Sequence, residues 1–247
     1  TGAFVPFRQA HRRQALVLTY HRFSEREDGA RISARAFAEQ LDYLTAHYTV
    51  VPLSHLAEQV ASGQPLPPGL AAVTIDDGYW DSYEIAFPLL RQRGIPATVF
   101  AVTEFVDRQT WLWTDQARYL ADSVSPKKLA AAHYATKMCL ERTDGSRLAV
   151  SVEQINATLK TLPEEMRIEA LKRLARALDV EMPKLPPREF ESITWQQAIE
   201  MDRAGVEIGS HTMTHPILPQ VGDEQLRREL QQSRERLEEK LGRTVDT

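Results

Sequence analysis

Two short apolar runs, each followed at once by residues that can bind a metal, constrain the fold of this chain more than any other feature. The first run, Ala71-Ala72-Val73-Thr74-Ile75, leads into Asp76-Asp77-Gly78. The second run, Val206–Ser210, leads into His211 and His215. Short runs with β-branched residues, bounded by turn-forming residues, are typical of buried strands in a parallel sheet. Because parallel strands end at one edge of their sheet, we expect the carboxylates and imidazoles to meet there.

One carboxylate and two imidazoles form a ligand set that is typical of catalytic divalent-metal sites. His211 and His215 are four residues apart, a spacing that lets both rings face one point in a helical turn or a tight loop. Three protein ligands leave a position open for water and substrate. Each motif alone has a simpler explanation, since Asp-Asp-Gly is a common turn sequence and many histidines only make structural hydrogen bonds. Their joint position after two predicted strands favours the metal site.

Three stretches of this sequence resemble the polysaccharide deacetylase family, which is carbohydrate esterase family 4. Thr74-Ile75-Asp76-Asp77-Gly78 and Ser210-His211-Thr212-Met213-Thr214-His215-Pro216 are similar to its first two motifs, and Leu18-Thr19-Tyr20-His21-Arg22 is similar to its opening strand. The resemblance covers about residues 15 to 106 and 191 to 247. It implies a distorted (β/α) barrel that hydrolyses an N-acetyl group on an amino sugar of a polysaccharide or glycolipid.

Carried over residue by residue, the resemblance implies that Asp77, His211 and His215 hold one divalent metal ion. It also implies that Asp76 is the general base that deprotonates the attacking water. Zinc is the first expectation for the ion, with cobalt, manganese or nickel as alternatives, because a site of His and carboxylate ligands does not select one of them. The chemistry of amide hydrolysis agrees with this division of roles, since a metal ion can activate water while a neighbouring free carboxylate takes its proton.

The sequence departs from the family pattern near its C-terminal end. A last helix is predicted from Asp223 to Gly242, and the later family motifs do not occur before Thr247. Those motifs are an Arg/Pro/Tyr-Gly motif, which contributes an oxyanion donor, and a Leu-x-x-His-type motif, whose histidine protonates the leaving amine. We therefore expect a barrel that is C-terminally incomplete. Two alternative functions stay open: an amide or imide hydrolase of the same superfamily, and a catalytically inactive glycan-binding relative.

Strand and helix alternate in the first part of the chain, which favours an α/β fold with a parallel sheet. Strands are predicted at 15–21, 48–53, 71–75 and 97–102, and helices at 33–47, 54–63 and 82–93. Between 107 and 190 the pattern changes to helices, including 125–139, 152–162 and 163–178. We expect 1–106 and 191–247 to form the barrel and 107–190 to be a helical insertion.

Four further residues are candidates for contact with a glycan substrate. Tyr79 and Trp80 directly follow the acidic pair, and His21 ends the first predicted strand. Trp113 lies in Trp111-Leu112-Trp113 at the start of the insertion. Aromatic rings there could stack on sugar rings, although packing as a hydrophobic anchor is the more common role of such residues.

Composition is that of a globular enzyme and argues against two other classes of protein. The 247 residues are 43% hydrophobic and 26% charged, which is enough for a sizeable core. The net charge of −4 argues against a nucleic-acid binder, which needs a basic face for phosphate groups. No apolar run approaches the roughly 20 residues that a membrane-spanning helix needs. The single cysteine, Cys139, cannot form an intrachain disulfide and is predicted to be a small buried apolar residue.

Overall fold

The structure is a computed structural model that describes residues 14–135 and 151–246. Cys139 and the end of the helix predicted at 125–139 lie outside these residues. The described chain forms two compact units. The first contains residues 14–107, 192–213 and 230–246, and the second contains residues 108–135, 151–191 and 214–229.

A parallel β-sheet forms the framework of the first unit. The strands of the described residues are, in chain order, β1 (Leu16–Tyr20), β2 (Phe23–Ser24), β3 (Ile32–Ser33), β4 (Thr49–Val50), β5 (Leu70–Ile75), β6 (Ala97–Ala101) and β7 (Val206–Ser210). The sheet has the order β1-β5-β6-β7, and β4 pairs with the start of β5. The strands β2 and β3 form a separate parallel pair. Strands joined by helices in a parallel sheet confirm the predicted α/β class.

Helices lie between the strands of the sheet and make up the core of the second unit. They are, in chain order, α1 (Ala34–His47), α2 (Leu53–Ala61), α3 (Phe87–Arg93), α4 (Thr103–Val106), α5 (Trp113–Asp122), α6 (Pro126–Ala135), α7 (Val152–Lys160), α8 (Glu164–Leu178), α9 (Trp195–Arg203) and α10 (Asp223–Leu241). Short 3₁₀ turns occur at Arg188–Phe190 and Leu218–Gln220, and a π-helical segment, Ser82–Ala86, directly precedes α3. Within the described residues, no helix combines the length and the apolar character that crossing a membrane requires.

Local sequence explains where these elements begin and end. The Ser33 side chain caps α1 by accepting a hydrogen bond from the Ala36 N–H at 3.2 Å. The strand predicted at 48–53 is wrong in length, because only Thr49–Val50 is strand. Pro52 has no N–H to donate to a sheet, and α2 begins directly after it.

The core of the first unit lies on one face of the sheet. Apolar side chains of β5, β6 and β7 pack there against apolar side chains of α1 and α3, and the buried members include Val73, Ile75, Val99, Ile208, Phe37, Leu41 and Leu90. β5 is buried along its whole length, as expected for a central parallel strand. The core therefore fixes the direction of β5 and the position of the acidic pair that follows it.

The second unit has its own core, made by the helices α5 to α8. Its buried members include Leu120, Ile155, Leu159, Leu171 and Leu174. Arg167 is buried among them and donates hydrogen bonds to the Leu159 and Leu162 carbonyls. Its guanidinium lies 4.9 Å from the ring centroid of Trp113. Backbone carbonyls and an aromatic face therefore compensate for the loss of water around this cation.

Candidate active site

The acidic pair stands at a sharp turn at the end of β5. The Asp76 N–H still donates to the Tyr20 carbonyl at 2.8 Å, so the pairing with β1 continues one residue past the strand. Asp77 and Gly78 then both adopt positive φ values, of 72° and 78°. This conformation is costly for residues other than glycine, although Asp tolerates it better than most. The turn separates the directions of the two neighbouring carboxylates.

Sheet register places a row of polar residues beneath the site. The row crosses four strands and consists of Thr19, Thr74, Thr98 and Glu207. Thr74 Oγ1 donates to Thr19 Oγ1 at 2.9 Å, and Thr98 Oγ1 donates to Glu207 Oε2 at 2.8 Å. Side chains alternate between the faces of a strand, so His21 and Asp76, two residues further along, continue on the face of this row. The face opposite the apolar core therefore carries the candidate catalytic residues.

Asp77, His211 and His215, the three candidate ligands, lie close to one another. One ligand atom from each lies within 4.8 Å of the other two. Asp77 Oδ1 and His211 Nε2 are 3.4 Å apart. Two ligand atoms at about 2.1 Å from a tetrahedral zinc ion would be separated by about 3.4 Å, so this pair fits such an ion. The donor set of one carboxylate and two imidazoles also matches known catalytic zinc sites.

Two further contacts set the environment of His211. Its N–H donates to the Ala101 carbonyl at 3.0 Å, which ties the start of the His-x-x-x-His loop to β6. Burial alone would lower the pKa of His211, but the hydrogen bond and charge of Asp77, with the charge of Asp76, raise this pKa above its ordinary value. The two carboxylates therefore favour a positive charge at this position.

Asp76 lies outside the group of three ligands and close to His21. The distance between His21 Nε2 and Asp76 Oδ2 is 3.7 Å, and the two side chains are 56% and 18% exposed. Burial raises the pKa of Asp76, the charges of His211 and His21 oppose this rise, and the charge of Asp77 adds to it. Asp76 is thus a partly accessible carboxylate beside the three candidate ligands.

Comparison with known proteins agrees with this geometry. The sequence pattern of the polysaccharide deacetylase family matches residues 63–247. This chain belongs to the polysaccharide deacetylase family. Among curated proteins, a putative polysaccharide deacetylase of Bacillus subtilis, YxkH, is 25% identical over 107 residues, which are 42% of this chain and 38% of that protein. The match thus spans well under half the length of this relative.

Solved structures share the fold of this polysaccharide deacetylase family member at low sequence identity. The deacetylase PplD of Streptococcus pyogenes, solved with acetate, gives a TM-score of 0.55 at 14% identity, over 94% of this chain and 70% of that one. IcaB of Ammonifex degensii gives a TM-score of 0.53 at 22% identity, over 94% and 71% of the two chains. These likenesses confirm the predicted α/β fold of the polysaccharide deacetylase type.

The other predicted substrate contacts of this family member have different surroundings. Tyr79 is only 3% exposed, its ring packs against Phe105 with centroids 5.4 Å apart, and the Arg22 guanidinium lies 4.0 Å from its centroid. Tyr79 is therefore a core residue, which corrects its placement in a substrate cleft. Trp80 is half-buried next to the acidic pair. Trp113 is half-buried and packs in the second unit against Arg167.

Sequence reasoning missed one ion pair beside the site. Arg22 Nε donates to Asp81 Oδ2 at 2.8 Å, and the Asp81 side chain is fully buried. The pair joins the end of β1 to the segment after the acidic turn, and its partners are 59 positions apart in the sequence. Burial raises the pKa of Asp81, against the opposing charge and hydrogen bond of Arg22. No local sequence pattern predicts such a pair. Only the position of Arg22 directly after His21 suggests it.

Proposed function

We propose that this chain hydrolyses an N-acetyl group from an amino sugar of a polysaccharide or glycolipid, with one divalent metal ion, zinc first. The observation that carries the proposal is the grouping of Asp77, His211 and His215 with Asp76 beside them but outside the ligand set. Membership of the polysaccharide deacetylase family supports the substrate class. A solved neighbour described as a de-N-acetylase, from Aggregatibacter actinomycetemcomitans, has a TM-score of 0.51 at 16% identity, and supports the fold for such chemistry.

The three ligands and the free carboxylate have separate tasks in the proposed reaction. Asp77, His211 and His215 would hold the ion, which when bound would polarise the acyl oxygen and promote ionisation of the attacking water. Asp76 takes the proton of that water on its carboxylate, for which it must be ionised. His21, 3.7 Å away, favours this ionised form, because its charge lowers the pKa of Asp76. The protein contributes the orientation of these groups.

The positions of the two carboxylates explain why the site needs both. Asp77 is nearly fully buried and its carboxylate lies 3.4 Å from His211, a position from which it can bind a cation but has little access to solvent. Asp76 keeps part of its side chain exposed. One carboxylate could not be both a buried ligand and an accessible base. The positive φ of Asp77 is the backbone feature that separates these roles.

Metal content and acetate release together test the proposed function. We expect about one ion per chain after dialysis, and acetate release from N-acetylated oligosaccharides. Asp76→Asn should keep the ion and lose at least about 100-fold in turnover, the usual range for a general base. Asp77→Ala and His215→Ala should lose the ion. Asp179→Ala is a matched control, because Asp179 also has a positive φ, of 52°, at the end of α8.

The outcomes separate the proposal from its alternatives. Equal loss of metal in the Asp76, Asp77 and His215 variants would contradict the assigned roles. Full metal loading with glycan binding and no release of acetate would instead indicate an inactive glycan-binding relative. Turnover of non-sugar amides or imides in preference to N-acetylated sugars would indicate the other hydrolase. Loss of metal in Asp179→Ala would mean that the effect of Asp77→Ala is one of folding.

A further inference from the structure

The loop that carries both histidines adopts an unfavourable backbone conformation. Thr212 has a φ of 70° and His215 a φ of 62°. Positive φ values are rare for residues with a side chain, and a β-branched residue such as threonine adopts them least readily. Such residues persist where their surroundings determine the conformation, and they occur often at functional sites. The contacts that hold this loop therefore bear on the ligand His215.

One set of contacts comes from the start of α4. The Thr103 N–H donates to the Thr212 carbonyl at 3.2 Å, and the Glu104 N–H donates to the Met213 carbonyl at 3.0 Å. These are N–H groups of the first helical turn, which have no partner inside their own helix. They fix the middle of the loop. They act on the carbonyls of Thr212 and Met213.

The second set of contacts comes from α10, which presents two buried polar residues one turn apart. Glu229 is 2% exposed, and both of its carboxylate oxygens accept hydrogen bonds from Thr214: Oε2 from the backbone N–H at 2.9 Å and Oε1 from the hydroxyl at 2.6 Å. Ser233 is buried as well, and its hydroxyl lies 2.6 Å from that of Ser210. The helix thus holds the residue before each histidine.

The structure assigns to Glu229 the role of a positioning residue for His215, a role that rests on the proposed metal-dependent function. Burying a carboxylate is costly unless it is hydrogen-bonded. Here both of its oxygens bind the same residue, so the carboxylate fixes backbone and side chain of Thr214 together. This fixes the plane of the peptide that joins Thr214 to His215, and with it the direction of the His215 imidazole. Partners behind the ligands of metal sites commonly contribute about 10–100-fold to metal affinity.

A purely structural role for Glu229 makes a different prediction, so we compare metal binding with stability. The experiment measures zinc affinity of the full chain by competition with a chelator, the visible spectrum of the cobalt-loaded protein, and the melting temperature of the metal-free protein. Glu229→Ala should weaken zinc binding about 10–100-fold and change the cobalt spectrum. Glu229→Gln should stay near the parent, because its amide oxygen can accept from the Thr214 N–H while its NH₂ donates to the hydroxyl. Glu235→Ala, at an exposed site of α10, is the matched control.

Each result decides the assignment. Parent-like zinc affinity and cobalt spectrum in Glu229→Ala, whatever its melting temperature, would overturn it and leave Glu229 a stabilising residue only. Loss in Glu229→Gln equal to that in Glu229→Ala would overturn the hydrogen-bond argument. If Glu229→Ala does not fold, Thr214→Val removes one of the two bonds at nearly constant shape, and parent-like affinity there overturns the assignment. A parent chain that binds no metal would overturn the proposed function, and this role with it.

Discussion

Replacement of Gly78 by alanine would test the acidic turn most directly. Gly78 has a φ of +78°, and a Cβ added there would lie 3.3 Å from both the Cα and the Cβ of Ala101 in β6. The substitution therefore lowers the free energy of unfolding in two ways. The backbone conformation is unfavourable for alanine, and the added Cβ crowds Ala101 of β6. Gly94 provides the matched control, because its φ is +61° and an added Cβ would have no atom within 4 Å.

The two costs give a magnitude for the difference between these variants. A positive φ at a residue other than glycine costs about 1–2 kcal/mol, and this applies to both substitutions. Crowding in a packed interior adds about 1–3 kcal/mol, and this applies to Gly78 alone. We expect Gly78→Ala to lower the melting temperature by about 2–12 °C more than Gly94→Ala, at about 2–4 °C per kcal/mol for a chain of this size.

The same substitution should weaken the metal site, since the crowded atoms belong to Ala101. Its carbonyl accepts the hydrogen bond from the His211 N–H at 3.0 Å, so a shift of a few tenths of an ångström in β6 moves a ligand. Differential scanning fluorimetry would measure the first effect and chelator competition the second. Equal melting temperatures and equal zinc affinities for Gly78→Ala and Gly94→Ala would refute the close approach of Gly78 to β6.

Two further predictions concern ion pairs of the first unit. Burial opposes ionisation of Asp107, but hydrogen bonds from Arg236 and the Trp195 indole outweigh it and lower its pKa. Because its pKa is lower in the folded protein, Asp107 stabilises the fold at pH values above its unfolded pKa of about 3.9, and this stabilisation is lost as the pH falls through the folded pKa. Arg236→Met should therefore make the free energy of unfolding, measured with urea, fall less steeply at acid pH. Arg22→Met leaves the buried Asp81 without its cation and should cost about 3–5 kcal/mol, whereas Arg35→Met, in an exposed pair with Glu27, should cost less than about 1 kcal/mol in the same assay. Equal costs for these two arginines would contradict the buried pair.

Local patterns were sufficient to predict the strands that carry the ligands. Val206–Ser210 is a strand with the predicted bounds, and the strand predicted at 71–75 is Leu70–Ile75. A strand of this kind can be predicted from residues that are neighbours in the sequence, since it is a short apolar run that ends in turn residues. Asp77, His211 and His215 follow such runs, and parallel strands bring the residues that follow them to the same edge of the sheet. The proximity of the acidic pair to His211 and His215 could therefore be predicted from local patterns, whereas the choice of Asp77 as a candidate ligand rests on the resemblance to the family.

Contacts between distant residues could not be predicted in this way. Arg22 and Asp81 are 59 residues apart, and the hydrogen bonds of Glu229 with Thr214 join α10 to the ligand loop. A buried carboxylate at position 229 has the same sequence surroundings as the exposed acidic residues along the charged helix α10. Its role follows from the packing of the helix on the loop. The pattern of residues along a single segment does not predict this packing.

The burial of Tyr79 shows why its position next to the acidic pair in the sequence did not predict its surroundings. Sequence neighbours of a strand have predictable directions only while the backbone keeps the period of two of a strand. Asp77 and Gly78 both have positive φ values, and this interrupts the alternation. After the turn, Gly78 accepts a hydrogen bond from the Ile193 N–H at 2.9 Å and Tyr79 pairs with Ser192, so the ring is directed into the core against Phe105. The turn that carries Asp77 and Gly78 thus also directs the next aromatic residue away from the candidate site. For this reason we expect Tyr79→Phe, which removes only the hydroxyl and keeps the ring against Phe105, to leave the KM for a glycan substrate unchanged in steady-state assays. A raised KM would show that the Tyr79 hydroxyl does reach the substrate.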